Sequence, residues 1–476
     1  MSARAEWLGR ERELAGMIPR GFEVGVATSA FQIEGATREG GRGPSVWDVF
    51  THENGRILDG STADVATDHY SRFADDVALM RELGVDSYRF SIAWPRIQPR
   101  GRGQLSQDGL AFYDRLLDAL LVAGVSPMAT LYHWDTPAAL AGWLDRDTAY
   151  RFADYAFSLG EVFGDRIDSW VTINEPATVT LNGYALGLHA PGSTLLFDAL
   201  PAAHHQLLGH GLAVDALRSA GVRGRVGITN VHSPVEPAGD REDDAAYAAL
   251  FDHVHNRLFA DPVLLGRYPE PPEPFQGLFA SLREADRDDA ATIAQPLDFY
   301  GLNYYFPSRI AAGPGDGSSP DGHASAMSSL PFHLAPWPEL GRTGFGWPIA
   351  PGFLAVALRE LAERYGTALP PVVITESGAS FVETADGGDG ARVDDGARID
   401  YLADHLSAAL AATGPGRAAE GVDLRGFFVW SLLDNFEWAA GYTQKFGLVG
   451  VDPRTRDRTP KASYHWLQTV LGDRER

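Results

Sequence analysis

The sequence has 476 residues, of which 45% are hydrophobic and 22% charged, so it can bury a large core and has the composition of an ordinary globular protein. Its 40 Lys and Arg residues stand against 63 Asp and Glu residues, and the net charge of −23 disfavours a nucleic-acid or anionic-membrane partner. Cysteine is absent, which excludes disulfides, thiolate metal sites and cysteine nucleophiles.

The amino terminus indicates no targeting segment. Charged residues interrupt the stretch from Met1 to Arg20, which contains no apolar run of secretory length. Further along the chain, no uncharged run is long enough to span a bilayer. A cytoplasmic location is therefore expected.

Segments with strand and helix patterns alternate along the chain. The strand pattern, rich in β-branched and aromatic residues, predicts eight strands: Phe22–Thr28, Asp86–Ile92, Ser126–Tyr132, Asp168–Asn174, Arg225–Val231, Leu297–Asn303, Val372–Thr375 and Arg425–Ser431. Apolar residues spaced by three and four predict helices around Tyr70 to Leu83 and over Leu110–Ala123, Ala149–Phe163, Ala199–Ala220, Asp243–Phe259, Phe353–Tyr365 and Ala397–Ala412.

This alternation predicts an α/β protein, a single (β/α)8 TIM barrel over residues 1–476. A doubly wound open sheet is the alternative, but no Gly-rich phosphate turn follows the first strand. Two stretches rich in Gly, Ser, Pro or Asp, Ala311–Pro338 and Gly387–Gly390, are expected to be loop insertions at the barrel rim.

Polar and aromatic residues recur at the carboxyl ends of the predicted strands, which share one face of a barrel. The residues are Gln32, Arg89, His133, Asn174, Glu175, Asn303, Tyr305, Glu376, Trp430, Glu437 and Trp438. Pro176 stops the fourth strand and so presents Asn174 and Glu175 at its end. Amides, imidazole and carboxylates suit sugar hydroxyls, and indole rings suit the C–H face of a pyranose. Two glutamates complete the acid and nucleophile, or acid and base, of a glycosidase.

Several segments together resemble glycoside hydrolase family 1, the β-glucosidases and their relatives. They are Phe22 to Gly35, Tyr132-His133-Trp134-Asp135, Thr172 to Pro176, Gly301 to Tyr305, Ile374-Thr375-Glu376 and Trp430 to Trp438. They occur in family order over nearly the whole chain. The resemblance implies a retaining β-glucosidase, without a cofactor, that removes terminal β-D-glucosyl residues from small unphosphorylated glycosides.

The resemblance also implies individual roles. Glu175 would be the acid/base and Glu376 the nucleophile, with the two carboxyl groups roughly 5–5.5 Å apart. Arg89, Asn303 and Tyr305 would support the nucleophile and keep it ionised. The sugar would be bound by Gln32, His133, Asn174, Tyr305, Glu437 and Trp438, with Trp430 as the stacking floor and Trp347 as a platform for the aglycone. Asn174 would contact the 2-hydroxyl.

Glu437 is expected to discriminate against phosphorylated sugars. Family members that cleave 6-phospho-glycosides resemble the chain elsewhere but carry a Ser- and Lys-bearing segment here. A charged Glu437 would instead repel a phosphate by several kcal/mol in a poorly screened pocket.

Other interpretations remain open from the residues. Either glutamate alone could be a rim or capping carboxylate. The same site could prefer β-galactosides or β-fucosides, or the protein could be a catalytically silent carbohydrate-binding protein. His133 with Asp135 supplies only two ligands for a metal-dependent hydrolase, so no metal is expected. The sequence does not indicate an oligomeric state.

Overall fold

The computed structural model describes residues 3–315, 330–385 and 393–475. Eight strands form a closed barrel in which each strand pairs in parallel with its neighbours along the chain. The barrel strands are β1 (Glu23–Ala27), β2 (Ser87–Ser91), β3 (Ser126–Tyr132), β4 (Ser169–Asn174), β5 (Arg225–Val231), β6 (Phe299–Asn303), β7 (Val372–Ser377) and β8 (Leu424–Trp430). The predicted (β/α)8 fold is confirmed.

Helices lie between the strands, and one more precedes the first strand and one follows the last. The α-helices of eight or more residues in the described part of the chain are α1 (Ala3–Met17), α2 (His69–Leu83), α3 (Gln107–Ala123), α4 (Asp147–Phe163), α5 (Leu200–Ser219), α6 (Glu242–Asp252), α7 (Leu258–Leu265), α8 (Ala280–Ile293), α9 (Pro351–Tyr365), α10 (Gly396–Ala412) and α11 (Ala462–Asp473). Three of these, α1, α8 and α11, were not predicted from the apolar pattern.

The helix predicted over Asp243–Phe259 is present, but it is not α-helical throughout and it continues to Leu265. A π-helical turn, His253–Arg257, separates α6 from α7. The Asn256 side chain accepts a hydrogen bond from the Ser233 backbone nitrogen at 3.1 Å and donates to the Ser233 carbonyl at 2.9 Å. A side chain bonded to another loop favours a local distortion of the helix that a 3.6-residue apolar period does not reveal.

The core has two parts. A large cluster packs the helices against the outside of the barrel, and it includes Tyr88 and Phe90 of β2. A smaller cluster fills the barrel with Ala27, Met128, Val171, Phe299, Val373 and Phe428. Because successive strand residues point to opposite faces, Tyr88 and Phe90 on the outside place Arg89 inside the barrel. That placement brings a guanidinium to the site described below.

The rim of the barrel carries a small three-stranded sheet made of Val235–Pro237, Ser308–Ala312 and Phe332–Leu334. The predicted insertion over residues 311–338 begins and ends close to this sheet. Its residues 316–329, and the second predicted insertion at residues 387–390, lie outside the described residues. Within the described ranges, no helix is both long and apolar enough to cross a membrane.

A close contact between α5 and α8 generates a stability prediction. A Cβ atom on Gly211 of α5 would lie 1.9 Å from the Thr292 carbonyl oxygen of α8. We expect Gly211→Ala to lower the free energy of unfolding by about 1–3 kcal/mol, since backbone must move to admit the methyl group. Urea unfolding monitored by circular dichroism measures this change.

The matched control is Gly352→Ala in α9, where a Cβ atom would meet nothing within 4 Å. Without a clash, the higher helix propensity of alanine should leave stability unchanged or raise it by up to about 1 kcal/mol. Equal effects of the two substitutions would show that the α5–α8 contact is not tight.

Candidate active site

Two irregularities in the barrel ladder position the two glutamates. The register shifts between β4 and β5 just before Asn174, and between β6 and β7 just before Glu376. Such shifts bend a strand end and re-aim its side chains, and they are common next to active sites. Glu175 then adopts a left-handed backbone conformation with φ 48° and begins the short helix Pro176–Thr178. Both carboxyl groups are buried and line one cavity.

Glu376 is held by two donors. The Arg89 guanidinium donates to Oε1 in an ion pair buried on both sides, and the Tyr305 hydroxyl donates to Oε2 at 2.5 Å. A guanidinium in contact and a hydroxyl donor both favour the charged form of a carboxyl group. The arrangement therefore suits a carboxylate at position 376.

Glu175 lies in a different environment. Its Oε1 accepts from the Asn303 amide at 2.6 Å, and its Oε2 accepts from the Thr178 hydroxyl at 2.7 Å. Burial and then the negative charge of Glu376 raise its pKa to about 7, against the two hydrogen bonds, which lower it. Glu175 can thus hold or release a proton near neutral pH.

A chain of hydrogen bonds links the two glutamates behind the cavity surface. Arg89, which binds Glu376, also donates to Asn174 Oδ1 at 2.6 Å. Asn303 donates both to Asn174 Oδ1, at 3.2 Å, and to Glu175 Oε1. The positions of the two carboxyl groups are therefore coupled through Asn174 and Asn303.

The same chain determines the state of His133. Asn174 Oδ1 accepts from Arg89 and Asn303, so its Nδ2 is the atom that donates to His133 Nε2, at 3.1 Å. Burial and then Arg89 lower the pKa of His133 well below its usual value. The neutral ring therefore carries its proton on Nδ1, which has no hydrogen-bond partner among the described residues. His133 lines the cavity.

Glu437 forms a third carboxyl group in the cavity. Gln32 donates to it at 3.4 Å and to the Phe436 carbonyl at 3.0 Å. Burial and then Glu376 raise the pKa of Glu437 to about 8. The expected repulsion of a phosphate by Glu437 is therefore corrected, because Glu437 is largely neutral at pH 7 and supplies little repulsion. The charge of Glu376 would still repel a phosphate. In the described part of the chain, no Lys or Arg lines the cavity to bind one.

Aromatic rings surround these carboxyl groups. His133 stacks on Trp430 with ring centroids 5.8 Å apart, and on Trp438 also at 5.8 Å. Trp347 stacks on Phe345 at 4.6 Å and meets Tyr305 edge-on at 5.7 Å. Aromatic rings from several elements therefore line the same cavity as the carboxyl groups.

The predicted site residues fall into two layers. The cavity is lined by His133, Glu175, Tyr305, Trp347, Glu376, Trp430, Glu437 and Trp438. The second layer lies behind them, buried and hydrogen-bonded to the first, and contains Gln32, Arg89, Asn174 and Asn303. The structure therefore brings all the predicted residues into one region.

Two contributors were not predicted as site residues. Trp134, with φ 78°, lines the cavity and donates its indole N–H to the Asn174 carbonyl at 2.9 Å. Thr178 donates to Glu175. The sequence could have identified Thr178 as a partner of Glu175, because it lies three residues later at a helix start, where side chains at this spacing meet.

Among residues 3–315, 330–385 and 393–475, no group of three or more His, Asp or Glu side chains is arranged to hold a metal ion. Asp135, the second residue of the metal alternative, is buried away from the cavity lining.

Comparison with known proteins identifies the class. The model of "Glycosyl hydrolase family 1" matches residues 14–475. β-Glucosidase A of Thermotoga maritima is 42% identical over 460 residues, which cover 95% of this chain and 97% of that protein. A bifunctional β-D-glucosidase/β-D-fucosidase of Bifidobacterium breve is 40% identical over 480 residues, covering 96% and 98%.

A solved structure agrees with these matches. The Thermotoga maritima family 1 glycoside hydrolase, complexed with a cyclophellitol analogue transition state mimic, superposes with a TM-score of 0.86 at 40% identity, covering 96% of this chain and 98% of that one. The protein is therefore a glycosyl hydrolase built on a (β/α)8 barrel. The chain belongs to glycosyl hydrolase family 1.

The raised pKa of Glu437 predicts a pH-dependent contribution to stability. In the unfolded chain a glutamate titrates near its usual value of 4.5, whereas in the folded protein the pKa of Glu437 is about 8. Between pH 4.5 and about 8 the folded state holds a proton on Glu437 that the unfolded state has lost. The contribution of this proton to stability is therefore complete below pH 4.5 and is lost as pH rises through about 8. We expect the free energy of unfolding of wild type to fall by a few kcal/mol relative to that of Glu437→Gln over this range.

Urea unfolding at several pH values measures this difference. Glu420→Gln, at an exposed glutamate, is the control and should give a much smaller change with pH. A difference between wild type and Glu437→Gln that stays constant from pH 5 to 8 would contradict burial of a neutral Glu437.

Proposed function

We propose that the protein is a retaining β-glucosidase that acts by double displacement on small unphosphorylated β-glucosides. The observation that carries the proposal is the unequal environment of two carboxyl groups in one cavity. Glu376 contacts the Arg89 guanidinium, whereas Glu175 has neutral donors and a pKa raised to about 7. Two carboxyl groups in one cavity, one paired with a cation and the other with a raised pKa, are typical of glycosidases. The β-glucosidases among the relatives support the glucoside preference.

In the first step, Glu376 would attack the anomeric carbon while Glu175 gives its proton to the departing oxygen. The products are a glycosyl ester on Glu376 and the free alcohol. In the second step, Glu175, now ionised, removes a proton from water, which attacks the anomeric carbon and releases Glu376 as a carboxylate. The sugar keeps its β configuration and Glu175 regains its proton.

The sugar would be bound by the other residues of the cavity. His133 Nδ1 offers a donor, Trp430 a stacking face, and Trp438 its indole N–H. We assign Gln32 and Asn174 to the glycone as well, with Asn174 directed to the 2-hydroxyl. Gln32 is hydrogen-bonded to Glu437 and Asn174 to His133, so a sugar hydroxyl would replace one of these hydrogen bonds.

A β-fucosidase activity on the same site is the second candidate. It is favoured by the bifunctional β-D-glucosidase/β-D-fucosidase that matches this chain nearly end to end. Neutral Glu437 can both donate and accept a hydrogen bond, and so can satisfy a hydroxyl of either epimeric configuration. A panel of aryl β-glucoside, β-galactoside and β-fucoside ranks these preferences through kcat/KM.

The nucleophile assignment predicts the behaviour of Glu376→Ala. We expect kcat on aryl β-glucosides to fall by at least about 10³-fold, because no covalent intermediate can form. Sodium formate or azide should restore turnover of an activated substrate, with an α-configured product. Undiminished hydrolysis by the variant would contradict the assignment.

A chelator applied to wild type should leave activity intact, whereas a metal-dependent hydrolase would lose it.

The acid/base assignment predicts a different pattern for Glu175→Ala. Substrates with poor leaving groups should lose most of their rate, because their oxygen needs the proton, while activated aryl glucosides should still form the glycosyl-enzyme. Azide should then give a β-glycosyl azide.

In wild type, kcat/KM for a poor leaving group should fall as pH rises through about 7, where Glu175 loses its proton. An α-configured first product from wild type would exclude retention.

No hydrolysis of any β-glycoside by wild type, together with measurable sugar binding, would support the alternative of a silent carbohydrate-binding protein. Glu175 and Glu376 are then expected to be replaceable without loss of binding. The two sets of results therefore separate the enzyme from the binding protein.

A further inference from the structure

One face of helix α10 contacts the strand ends that carry Tyr305 and Glu376. The face consists of Arg398, Tyr401 and His405, whose spacing of three and four residues places them on the same side of the helix. All three side chains are buried, and they lie outside the lining of the cavity. They take no part in the two reaction steps proposed above, so their contacts with the strand ends call for another role.

The segments that this face contacts are residues 303–305 after β6 and residues 376–379 after β7, called here the Glu376 corner. Two hydrogen bonds join the segments. The Tyr304 backbone N–H donates to the Glu376 carbonyl at 3.0 Å, and the Tyr305 hydroxyl donates to Glu376 Oε2 at 2.5 Å. Because the donors belong to adjacent residues, a shift of the Tyr304–Tyr305 main chain would change the bond to the Glu376 side chain.

The end of β8 limits the movement of this corner. A Cβ atom on Gly378 would lie 1.7 Å from the Trp430 carbonyl oxygen, so the two backbones are in direct contact. The Glu376 corner therefore has no space to move toward β8. Any freedom that remains depends on the contacts that α10 makes with it.

Tyr401 provides the contact with the first segment. Its hydroxyl donates to the Tyr305 carbonyl oxygen at 3.2 Å. The ring is held in place because it stacks on His405, with ring centroids 3.8 Å apart, and the His405 ring in turn lies 5.9 Å from that of Tyr304. Tyr401 thus bonds the main chain of the residue whose side chain donates to Glu376.

Arg398 provides the contact with the second segment. Its Nη1 donates to the Ala379 carbonyl at 2.5 Å, three residues after the proposed nucleophile. Its other nitrogens donate to Asp395 at 2.8 Å, to Glu383 at 2.7 Å and to the Lys445 carbonyl at 3.0 Å. A buried guanidinium with four acceptors has one orientation, so Arg398 fixes the distance between α10 and the Glu376 corner.

We propose that Tyr401, on the face of α10 that Arg398 fixes, is a positioning residue that sets the hydrogen bond from Tyr305 to Glu376. This role rests on the proposed function, since the bond matters for catalysis only if Glu376 is the nucleophile. A displaced Tyr305 hydroxyl would favour the carboxylate less and would let it leave the geometry for attack. Tyr401 would therefore affect the rate of attack without touching the sugar.

Tyr401→Phe tests this role, because it removes the hydroxyl and keeps the ring that stacks on His405. The substrate is a β-glucoside with a poor leaving group, on which the first step limits the rate and kcat reports attack by Glu376. We expect kcat to fall by about three- to thirtyfold, with KM changed by less than about twofold, since the carboxylate is misplaced and the groups assigned to the sugar are unchanged.

The matched control is Tyr464→Phe in α11. Tyr464 is also buried, and its hydroxyl donates to a main-chain carbonyl, that of Leu79 in α2, at 2.7 Å. The residue lies outside the cavity lining. Both substitutions delete one tyrosine hydroxyl that is bonded to the backbone, so they should lower the urea midpoint similarly. The kcat of Tyr464→Phe should equal that of wild type.

A double-mutant cycle separates positioning from a general loss of stability. Tyr305→Phe removes the donor itself. If Tyr401 acts by placing that donor, the variant with both substitutions should lose no more kcat than Tyr305→Phe alone. If Tyr401 only stabilises the fold, the two fold-losses in kcat should multiply.

The pH profile gives a second measurement. The acidic limb of kcat/KM, where protonation of Glu376 would stop the reaction, should move to higher pH in Tyr401→Phe and stay in place in Tyr464→Phe. Arg89, Glu175 and Glu437 also face Glu376, and they are the same in both variants.

The results distinguish failure of this role from failure of the proposed function. Suppose that wild type hydrolyses β-glucosides and Glu376→Ala does not. A kcat of Tyr401→Phe equal to that of Tyr464→Phe, fold-losses that multiply in the cycle, or an unmoved acidic limb would then overturn the role of Tyr401 and leave the function standing. If wild type hydrolyses no β-glucoside, or Glu376→Ala keeps full activity, the proposed function fails and the role of Tyr401 fails with it.

Discussion

The site depends on the buried contact between Arg89 and Glu376. The side chains of this pair are 1% and 3% exposed, so neither charge is stabilised by bulk water and each needs the other. Arg89 uses its second terminal nitrogen for Asn174 Oδ1, which fixes the amide that in turn fixes His133. One guanidinium, placed inside the barrel by the alternation of β2, thus determines the orientation of groups from three other strands.

The same contact explains why the three carboxyl groups differ. Of the three carboxyl groups, that of Glu376 is the one in direct contact with Arg89. Glu175 and Glu437 face the negative charge of Glu376 and receive hydrogen bonds from uncharged groups, so burial and repulsion dominate and raise the pKa of each. A single cation among three carboxyl groups therefore yields one site suited to a nucleophile and two suited to holding protons. Placing a second cation near Glu175 would remove this difference.

The sequence was sufficient to predict the barrel and the strand-end positions, because both follow from local patterns. Val372 to Thr375 form a strand on their own residue types, and Glu376 falls at its carboxyl end wherever the strand lies in space. The layering was not predictable in this way. Gln32 and Asn174 are polar residues at strand ends like His133, yet both are fully buried and reach the cavity through hydrogen bonds to Glu437 and His133, which line it.

Protonation was also beyond the sequence pattern. A glutamate at position 437 suggested a negative charge, and only its burial beside Glu376 makes it neutral near pH 7. The π-helical turn at His253–Arg257 was missed for a related reason, since it accompanies side-chain hydrogen bonds from Asn256 to a loop about twenty residues earlier. In each case the deciding contact joins residues that are separated along the chain.

The cavity also controls the access of water to Glu175. Burial is the largest cause of the raised pKa of Glu175, and many apolar side chains line the same cavity, among them Leu181 and Phe251. A leaving group held in this cavity would keep water away from Glu175 while its proton is still needed. Departure of that group would admit water at the stage when an ionised Glu175 must activate it, so the occupancy of the cavity would set the order of the two proposed steps.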